Sequence, residues 1–129
     1  MAEKQNGEFC WNELAASNVK AAKDFYSKVF GWTYTELPMP DTVYTVIQLN
    51  GKDIGGIWAI PKDKQGTIQP HWVTYIMVDD IEAALKKAHD NGAKIVKPAS
   101  PAGDIGIFAI IEDPTGAHIA FWEPLKEFH

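Results

Sequence analysis

The strongest constraint on the fold is that the sequence repeats its own pattern once, after about 61 residues. The helix-ending glycines Gly31 and Gly92 lie 61 positions apart, and residues 19–22 resemble residues 81–84 in the placement of their apolar side chains. Two copies of this length are too few and too long for a solenoid or propeller repeat, whose units span about 20–50 residues. The repeat therefore predicts a duplicated module whose two halves fold in the same order.

The first half, residues 8–60, has the signals of a strand, a helix and three further strands. Ser17 or Asn18 can cap the start of the helix, and Gly31 suits a left-handed helix end. The Asn50-Gly51 dipeptide predicts a tight hairpin turn. Alternating or β-branched segments predict strands at residues 8–14, 33–37, 43–49 and 54–60.

A polar connector at residues 61–70 leads into the second half, residues 71–123, where the same order returns. Asp79 or Asp80 can cap the second helix, and Gly92 ends it. Strands are predicted at residues 71–78, 94–96, 105–111 and 117–123. The two halves together predict an α+β fold built from two βαβββ modules in tandem.

Composition favours one folded domain over the 129 residues, with residues 124–129 as a tail. Hydrophobic residues make up 46% and charged residues 22%, a balance typical of globular domains. The chain has no arginine, and seventeen acids against twelve lysines give a net charge of −5. Without arginine forks or a basic surface, it has little with which to hold a run of phosphates. We therefore predict no nucleic-acid partner.

The single cysteine, Cys10, and the absence of a long apolar segment predict a cytoplasmic protein with no membrane partner. One cysteine cannot form an internal disulfide, which fits a reducing compartment. Residues 1–8 are polar, and no run approaches the roughly 20 apolar residues that span a bilayer. By strand parity Cys10 faces the helix, where we expect an unreactive thiol.

Short motifs in both halves resemble the glyoxalase, bleomycin-resistance and extradiol-dioxygenase superfamily, also called the vicinal-oxygen-chelate superfamily. They are FCWNEL at 9–14, AAKDFY at 21–26, VFGW at 29–32, VDDIEAA at 78–84, NGA at 91–93 and EDPTG at 112–116. Each motif is common alone, and their order and spacing over nearly the whole chain carry the resemblance. The resemblance implies that the two modules form a concave mixed sheet and that the protein is a homodimer.

In that superfamily, His and Glu side chains on the first and fourth strands of each half hold a divalent metal that polarises vicinal oxygens. Carried onto this sequence, the four ligand positions are Trp11, Gly56, Val73 and Ala120. None of these side chains offers a lone pair to a metal ion. The resemblance therefore implies a relative without the metal, and we predict no cofactor.

A displaced metal site made of Glu13, His71 and His118 is the alternative. Each residue lies two positions from an expected ligand position and points to the same face of its strand. Two residues span about 7 Å along a strand, far more than a metal bond tolerates.

The pair Gly55-Gly56 lacks the spacing of a phosphate loop and predicts instead a close approach of the backbone.

Strand parity predicts an aromatic cleft on the face where the ligand positions lie. Its lining, and hence the predicted ligand-binding set, is Trp11, Glu13, Trp58, Val73, Tyr75, His118, Ala120 and Trp122. Indoles and a phenol suit a flat organic molecule or a cation, and Glu13 can orient it. The same side chains can instead fill the space as core.

Three functions follow from these patterns. The first is a small-molecule-binding protein, similar to the drug-sequestering members of the superfamily, that works without a metal. The second is a lyase, isomerase or dioxygenase that uses a displaced metal, or that transfers protons with Glu13 and His118 as weak catalytic candidates. The third is an interaction scaffold whose cleft is filled by its own side chains.

Overall fold

The structure, a computed structural model that describes residues 4–125, contains the two predicted βαβββ modules. The elements of the first are β1 (Phe9–Ala16), α1 (Val19–Phe30), β2 (Thr33–Pro38), β3 (Val43–Leu49) and β4 (Lys52–Ala59). A 3-10 turn at Lys62–Lys64 lies in the connector. The second module contains β5 (His71–Met77), α2 (Ile81–Asp90), β6 (Lys94–Ala102), β7 (Gly106–Glu112) and β8 (His118–Pro124). Most of the predicted tail, residues 126–129, lies outside the described residues.

Each module mixes parallel and antiparallel pairing, as predicted. The strand order is β2-β3-β4-β1 in the first module and β5-β8-β7-β6 in the second. The parallel pairs are β1 with β4 and β5 with β8. The helix and the two strands after it form the connection between the parallel strands of each module, and short turns join the antiparallel neighbours. The fourth strand of each module therefore lies beside its first.

Local signals set the ends of both helices. The Asn18 side chain accepts a hydrogen bond from the Ala21 amide at 2.9 Å, and Gly31 ends α1 in the left-handed region with φ 75°. The Asp80 carboxylate accepts from the Ala83 amide at 3.1 Å at the start of α2. In the range 4–125, neither helix has the length and apolar character of a membrane span.

Each module has an apolar core between its helix and one face of its strands. In the first module Leu14, Ala16, Ile47 and Ile57 are buried there, with Val19, Ala22 and Tyr26 of α1 packed against them. In the second module the buried set is Val78, Ile81, Leu85, Ala93, Ala109 and Ile111. Because successive strand residues point to opposite faces, Trp11 and Glu13 lie on the face turned away from α1.

Strand β6 is longer than the predicted 94–96. It continues to Ala102 through Pro98 and Pro101, and its pairing with β7 shifts register between Ile95 and Lys97 and again between Lys97 and Ser100. An edge strand tolerates proline because one side of its backbone needs no partner, and bulges absorb the missing donors. Pro98 and Pro101 are accommodated in the longer strand in this way.

The contacts of the described residues divide the chain into two units, residues 11–73 and residues 4–10 with 74–125. The amino-terminal segment belongs to the second unit because it pairs with the end of β5. The Gly7 amide donates to the Met77 carbonyl at 2.8 Å, and the Met77 amide donates to the Glu8 carbonyl at 2.9 Å. The Asp79 amide also donates to the Asn6 side chain at 2.9 Å.

Candidate functional site

A tyrosine joins an indole and a carboxylate on the face of the first module that is turned away from α1. The Trp11 Nε1–H donates to Tyr44 Oη at 2.9 Å, and the Tyr44 hydroxyl donates to Glu13 Oε2 at 2.6 Å. All three side chains are half-buried. The phenol thus acts as acceptor and donor at once, and its short bond to Glu13 has the length of a charge-assisted hydrogen bond.

Gly56 makes room for the phenol. A Cβ built at position 56 would overlap the hydroxyl and the ring of Tyr44. Gly55 serves a different purpose, since a Cβ there would lie 2.7 Å from the Asn12 carbonyl oxygen. The close backbone approach predicted for the glycine pair is therefore found at Gly55, whereas Gly56 faces a side chain.

The register of β1 and β4 brings three of the predicted site residues onto one face. Glu13 pairs with Gly56, and Ala15 pairs with Trp58, two residues further along β4. Since direct neighbours in a sheet share a face, Trp58 lies on the same side as Trp11 and Glu13. The structure joins Trp11 and Glu13 through Tyr44.

Sequence reasoning missed Tyr44. The available signal was the alternation within β3, where Thr45 and Ile47 are buried and Tyr44 points to the other face. Only the pairing of Val46 with Gly56 shows that Tyr44 reaches the space above the glycine. That contact depends on three strands in register, which no local motif records.

The second unit repeats the pairing of a glycine with an aromatic ring. A Cβ at Gly106 would lie 2.5 Å from ring atoms of Trp122 and 2.9 Å from the Glu123 carbonyl oxygen. Tyr75 pairs with Ala120, and both are buried, at 7% and 0% exposure. Ala120 thus offers only a methyl group in a closed environment.

The two histidines of the predicted alternative metal site have local partners. His118 Nε2 lies 3.5 Å from Glu112 Oε1 on the neighbouring strand, and the His118 side chain is 48% exposed. His71 Nδ1 lies 2.7 Å from the Gln69 carbonyl oxygen. Within residues 4–125, no three His, Cys, Asp or Glu side chains are grouped to hold a metal ion. Glu13 and His71 belong to the unit of residues 11–73 and His118 to the other unit.

The superfamily's ligand positions do not fit a metal ion. The Trp11 indole nitrogen is a donor, and it is committed to Tyr44. The space at Gly56 is taken by the Tyr44 ring. Val73 and Ala120 carry aliphatic side chains only. A metal site needs several converging lone pairs, and these side chains supply none.

Burial raises the pKa of the Cys10 thiol to about 11, because an apolar environment disfavours the thiolate. The nearby charge of Lys4 lowers the pKa and that of Glu8 raises it, both by less than burial does. At neutral pH the side chain is therefore a neutral thiol, as expected for a structural cysteine rather than a nucleophile.

Comparison with known proteins gives the same superfamily. The family model described as Glyoxalase/Bleomycin resistance protein/Dioxygenase superfamily matches residues 10–121. "Putative glyoxylase CFP32" of Mycobacterium bovis is 36% identical over 124 residues, 95% of this chain and 48% of the relative. The anthracycline biosynthesis protein DnrV of Streptomyces peucetius is 27% identical over 128 residues, 90% of this chain and 46% of the relative. The chain thus spans about half the length of these relatives.

Solved structures show the same fold at low sequence identity. Methylmalonyl-CoA epimerase from Mycobacterium tuberculosis matches with a TM-score of 0.67 and 15% identity, over 98% of this chain and 95% of that one. A glyoxalase/bleomycin resistance protein/dioxygenase superfamily member from Vibrio splendidus 12B01 matches with a TM-score of 0.59 and 17% identity, over 92% and 100%. These matches confirm the predicted fold, and the family model confirms the predicted resemblance.

Proposed function

Because the chain belongs to the glyoxalase, bleomycin resistance protein and dioxygenase superfamily, we propose that it binds a small, flat organic molecule without a metal ion. The proposed contact surface contains Trp11, Glu13, Tyr44 and Trp58. The observation that carries the proposal is the position of Tyr44, whose ring fills the space above Gly56, a position where the resemblance implies a metal ligand. Its hydroxyl is bonded to Glu13 instead.

The chemistry of these side chains defines the ligand class. Indole and phenol rings offer flat apolar area to an aromatic molecule and a negative ring face to a cation. The Glu13 carboxylate adds a charge that a protonated amine can pair with. DnrV is named for anthracycline biosynthesis, and anthracyclines are flat fused-ring compounds. That name supports a ligand of this shape.

The remaining predicted contacts, Val73, Tyr75, Ala120 and Trp122, stay predictions, and so do a cytoplasmic location and the absence of a cofactor. His118 is weaker as a ligand contact or a catalytic group, because it is exposed beside Glu112.

An enzyme is the second candidate, and one observation favours it. The hydroxyl of Tyr44 and the carboxylate of Glu13 form a short donor–acceptor pair, at 2.6 Å, that can pass a proton to or from a bound molecule. The relative named a glyoxylase supports a reaction of lyase or isomerase type. A metal-dependent reaction would need donors from residues other than Trp11, Gly56, Val73 and Ala120.

The test compares a positively charged anthracycline with its uncharged aglycone, by quenching of tryptophan fluorescence after treatment with EDTA. We expect both to bind, Glu13→Gln to weaken only the charged compound by about tenfold, and Tyr44→Phe to weaken both. Tyr34→Phe is the matched control, because Tyr34 packs with the α1-side core and its hydroxyl donates to the Lys23 carbonyl at 2.9 Å.

Metal analysis of the purified protein and thermal shifts with Ni, Zn, Mn and Fe distinguish metal-free binding from a metal-dependent enzyme. Stoichiometric metal, together with ligand binding that is abolished by EDTA, would overturn metal-free binding. Equal loss of both anthracycline forms with Glu13→Gln would reject the assigned role of its charge.

A further inference from the structure

The hydrogen bonds that join Trp11, Tyr44 and Glu13 run in one direction. An indole N–H can only donate, so the Tyr44 oxygen is the acceptor in its 2.9 Å bond with Trp11. The hydroxyl hydrogen of Tyr44 then goes to Glu13 Oε2, at 2.6 Å. This distance lies in the range of about 2.5–2.7 Å for a hydroxyl bonded to an ionised carboxylate. The series of bonds therefore starts at an indole and ends at a negative charge.

This direction uses the polar hydrogens of the three side chains inside the protein. Trp11 has one such hydrogen and Tyr44 has one, and each is bonded to the next side chain of the series. An ionised carboxylate has none. The side chains of Trp11, Tyr44 and Glu13, here called the acceptor site, therefore offer lone pairs to a bound molecule, chiefly those of the carboxylate.

The strands around the acceptor site add no positive charge close to it. Residues 9–16 of β1 and 43–49 of β3 contain no Lys, Arg or His. In β4 the basic residue is Lys52, which lies four positions before Gly56, about 13 Å along the strand. These three strands thus provide no cation beside the acceptor site for an anionic ligand.

We propose that the acceptor site selects flat molecules whose edge carries an N–H or O–H donor, and rejects those whose edge carries only acceptors. This inference rests on the proposed function and names the class of its ligand, which is a phenol, an aromatic amine or a ring N–H compound. The carboxylate charge alone favours cations over uncharged molecules. The direction of the hydrogen bonds sets a further preference among uncharged molecules.

The preference has a physical cause for both kinds of ligand. A donor on the ligand takes the place of solvent at the carboxylate, so that little hydrogen bonding is lost on binding. An acceptor also displaces solvent, but its lone pairs then face those of the carboxylate and lose their own hydrogen bonds to water. Sites that bond to a hydrogen of their ligand strongly reject an analogue that lacks it.

Two uncharged bicyclic probes test the preference. Indole carries a ring N–H donor, and chromone carries a carbonyl acceptor. NMR titration of isotope-labelled protein gives both Kd values, and the Trp11 indole resonance shows whether the probe binds beside it. We expect the wild type to bind indole about tenfold more tightly than chromone. Equal affinities, or tighter binding of chromone, would overturn the inference.

Glu13→Gln reverses the polarity of one atom and keeps the shape of the side chain. The amide oxygen can still accept from the Tyr44 hydroxyl, whereas the amide nitrogen puts a donor in place of a carboxylate oxygen. The ratio of the two Kd values should therefore shift about tenfold towards chromone. Tyr34→Phe, in the core on the α1 side, is the matched control and should keep the wild-type ratio. A ratio that Glu13→Gln leaves unchanged would contradict the assigned direction.

Trp58 carries another indole N–H of the proposed contact surface, two residues after Gly56 on β4. Trp58→Phe removes this hydrogen and part of the ring area, so both probes should bind more weakly. Their Kd ratio should stay within about threefold of the wild type. A larger change in the ratio would assign the selection to Trp58 and overturn the role of the acceptor site.

Failure of the proposed function gives a different result from failure of this inference. A wild type that binds neither indole nor chromone would refute ligand binding at this surface, and the selection with it. A wild type that binds both with the same Kd would refute the selection alone and leave small-molecule binding in place.

Discussion

At the scale of single residues, the candidate site depends on one small side chain beside one large one. Gly56 has no Cβ, and the Tyr44 ring occupies the space that any other residue would take. The composition of the face around Trp11 and Glu13 could be predicted from strand parity, because parity is local. The Tyr44 contact could not, because it depends on how β3 aligns with β4 and β1.

Gly56→Ala should therefore displace Tyr44 and lower the free energy of unfolding by about 1–3 kcal/mol, the usual effect of overpacking. Urea denaturation measures it, and Gly66→Ala is the control, because a Cβ there meets nothing within 4 Å. In a Tyr44→Ala background the cost of Gly56→Ala should shrink. An equal cost in both backgrounds would show that Tyr44 is not the residue displaced.

At the scale of elements, signals carried by a few adjacent residues predicted the structure well. The Asn18 and Asp80 caps and the Asn50-Gly51 turn, where φ is 52° and 77°, are as expected. Strand β6 was predicted too short, because its last residues are held by pairing with β7 rather than by their own propensity. Long-range pairing is the part of the fold that short patterns leave out.

The turn between β7 and β8 should be sensitive to acid. Asp113 Oδ1 accepts hydrogen bonds from the Thr115 hydroxyl at 2.7 Å, the Thr115 amide at 2.8 Å and the Ala117 amide at 3.1 Å. The Thr115 hydroxyl and then these amides hold the pKa of Asp113 below its usual value. The stabilisation is therefore present above the unfolded pKa of the carboxyl and is lost as pH falls through the lower folded pKa.

Asp113→Ala should lower the Tm at pH 7, and the difference from the wild type should shrink as the pH falls below about 4. Thermal melts across this pH range measure the effect. Asp41→Ala, which changes an exposed aspartate in the turn before β3, should change the Tm much less. A Tm difference for Asp113→Ala that stays constant with pH would mean that the charge of the carboxylate does not contribute.

At the scale of the whole molecule, the duplication was visible in the sequence. The grouping of residues 4–10 with the second half of the chain was not. Residues 4–10 group with the second half through Gly7 and Glu8, whose hydrogen bonds to Met77 cross about 70 positions of sequence. Periodicity finds copies of a pattern, and it contains no information on which copy the first residues join.

Deleting residues 1–7 should therefore loosen the second unit more than the first. We expect faster amide hydrogen exchange at Asp79, whose partner Asn6 would be lost, and little change at Ile47 in the first core. Exchange measured by NMR on both chains decides this. Faster exchange at Ile47 alone would contradict it.

The bond between Glu8 and Met77 also bears on how the polypeptide is made. During synthesis Gly7 and Glu8 are made well before β5, so about seventy further residues have to be added before their hydrogen-bonding partner Met77 leaves the ribosome. A nascent chain that stalls in the connector would expose those backbone groups to other unfolded proteins. Completing translation without delay would then protect this protein from aggregation.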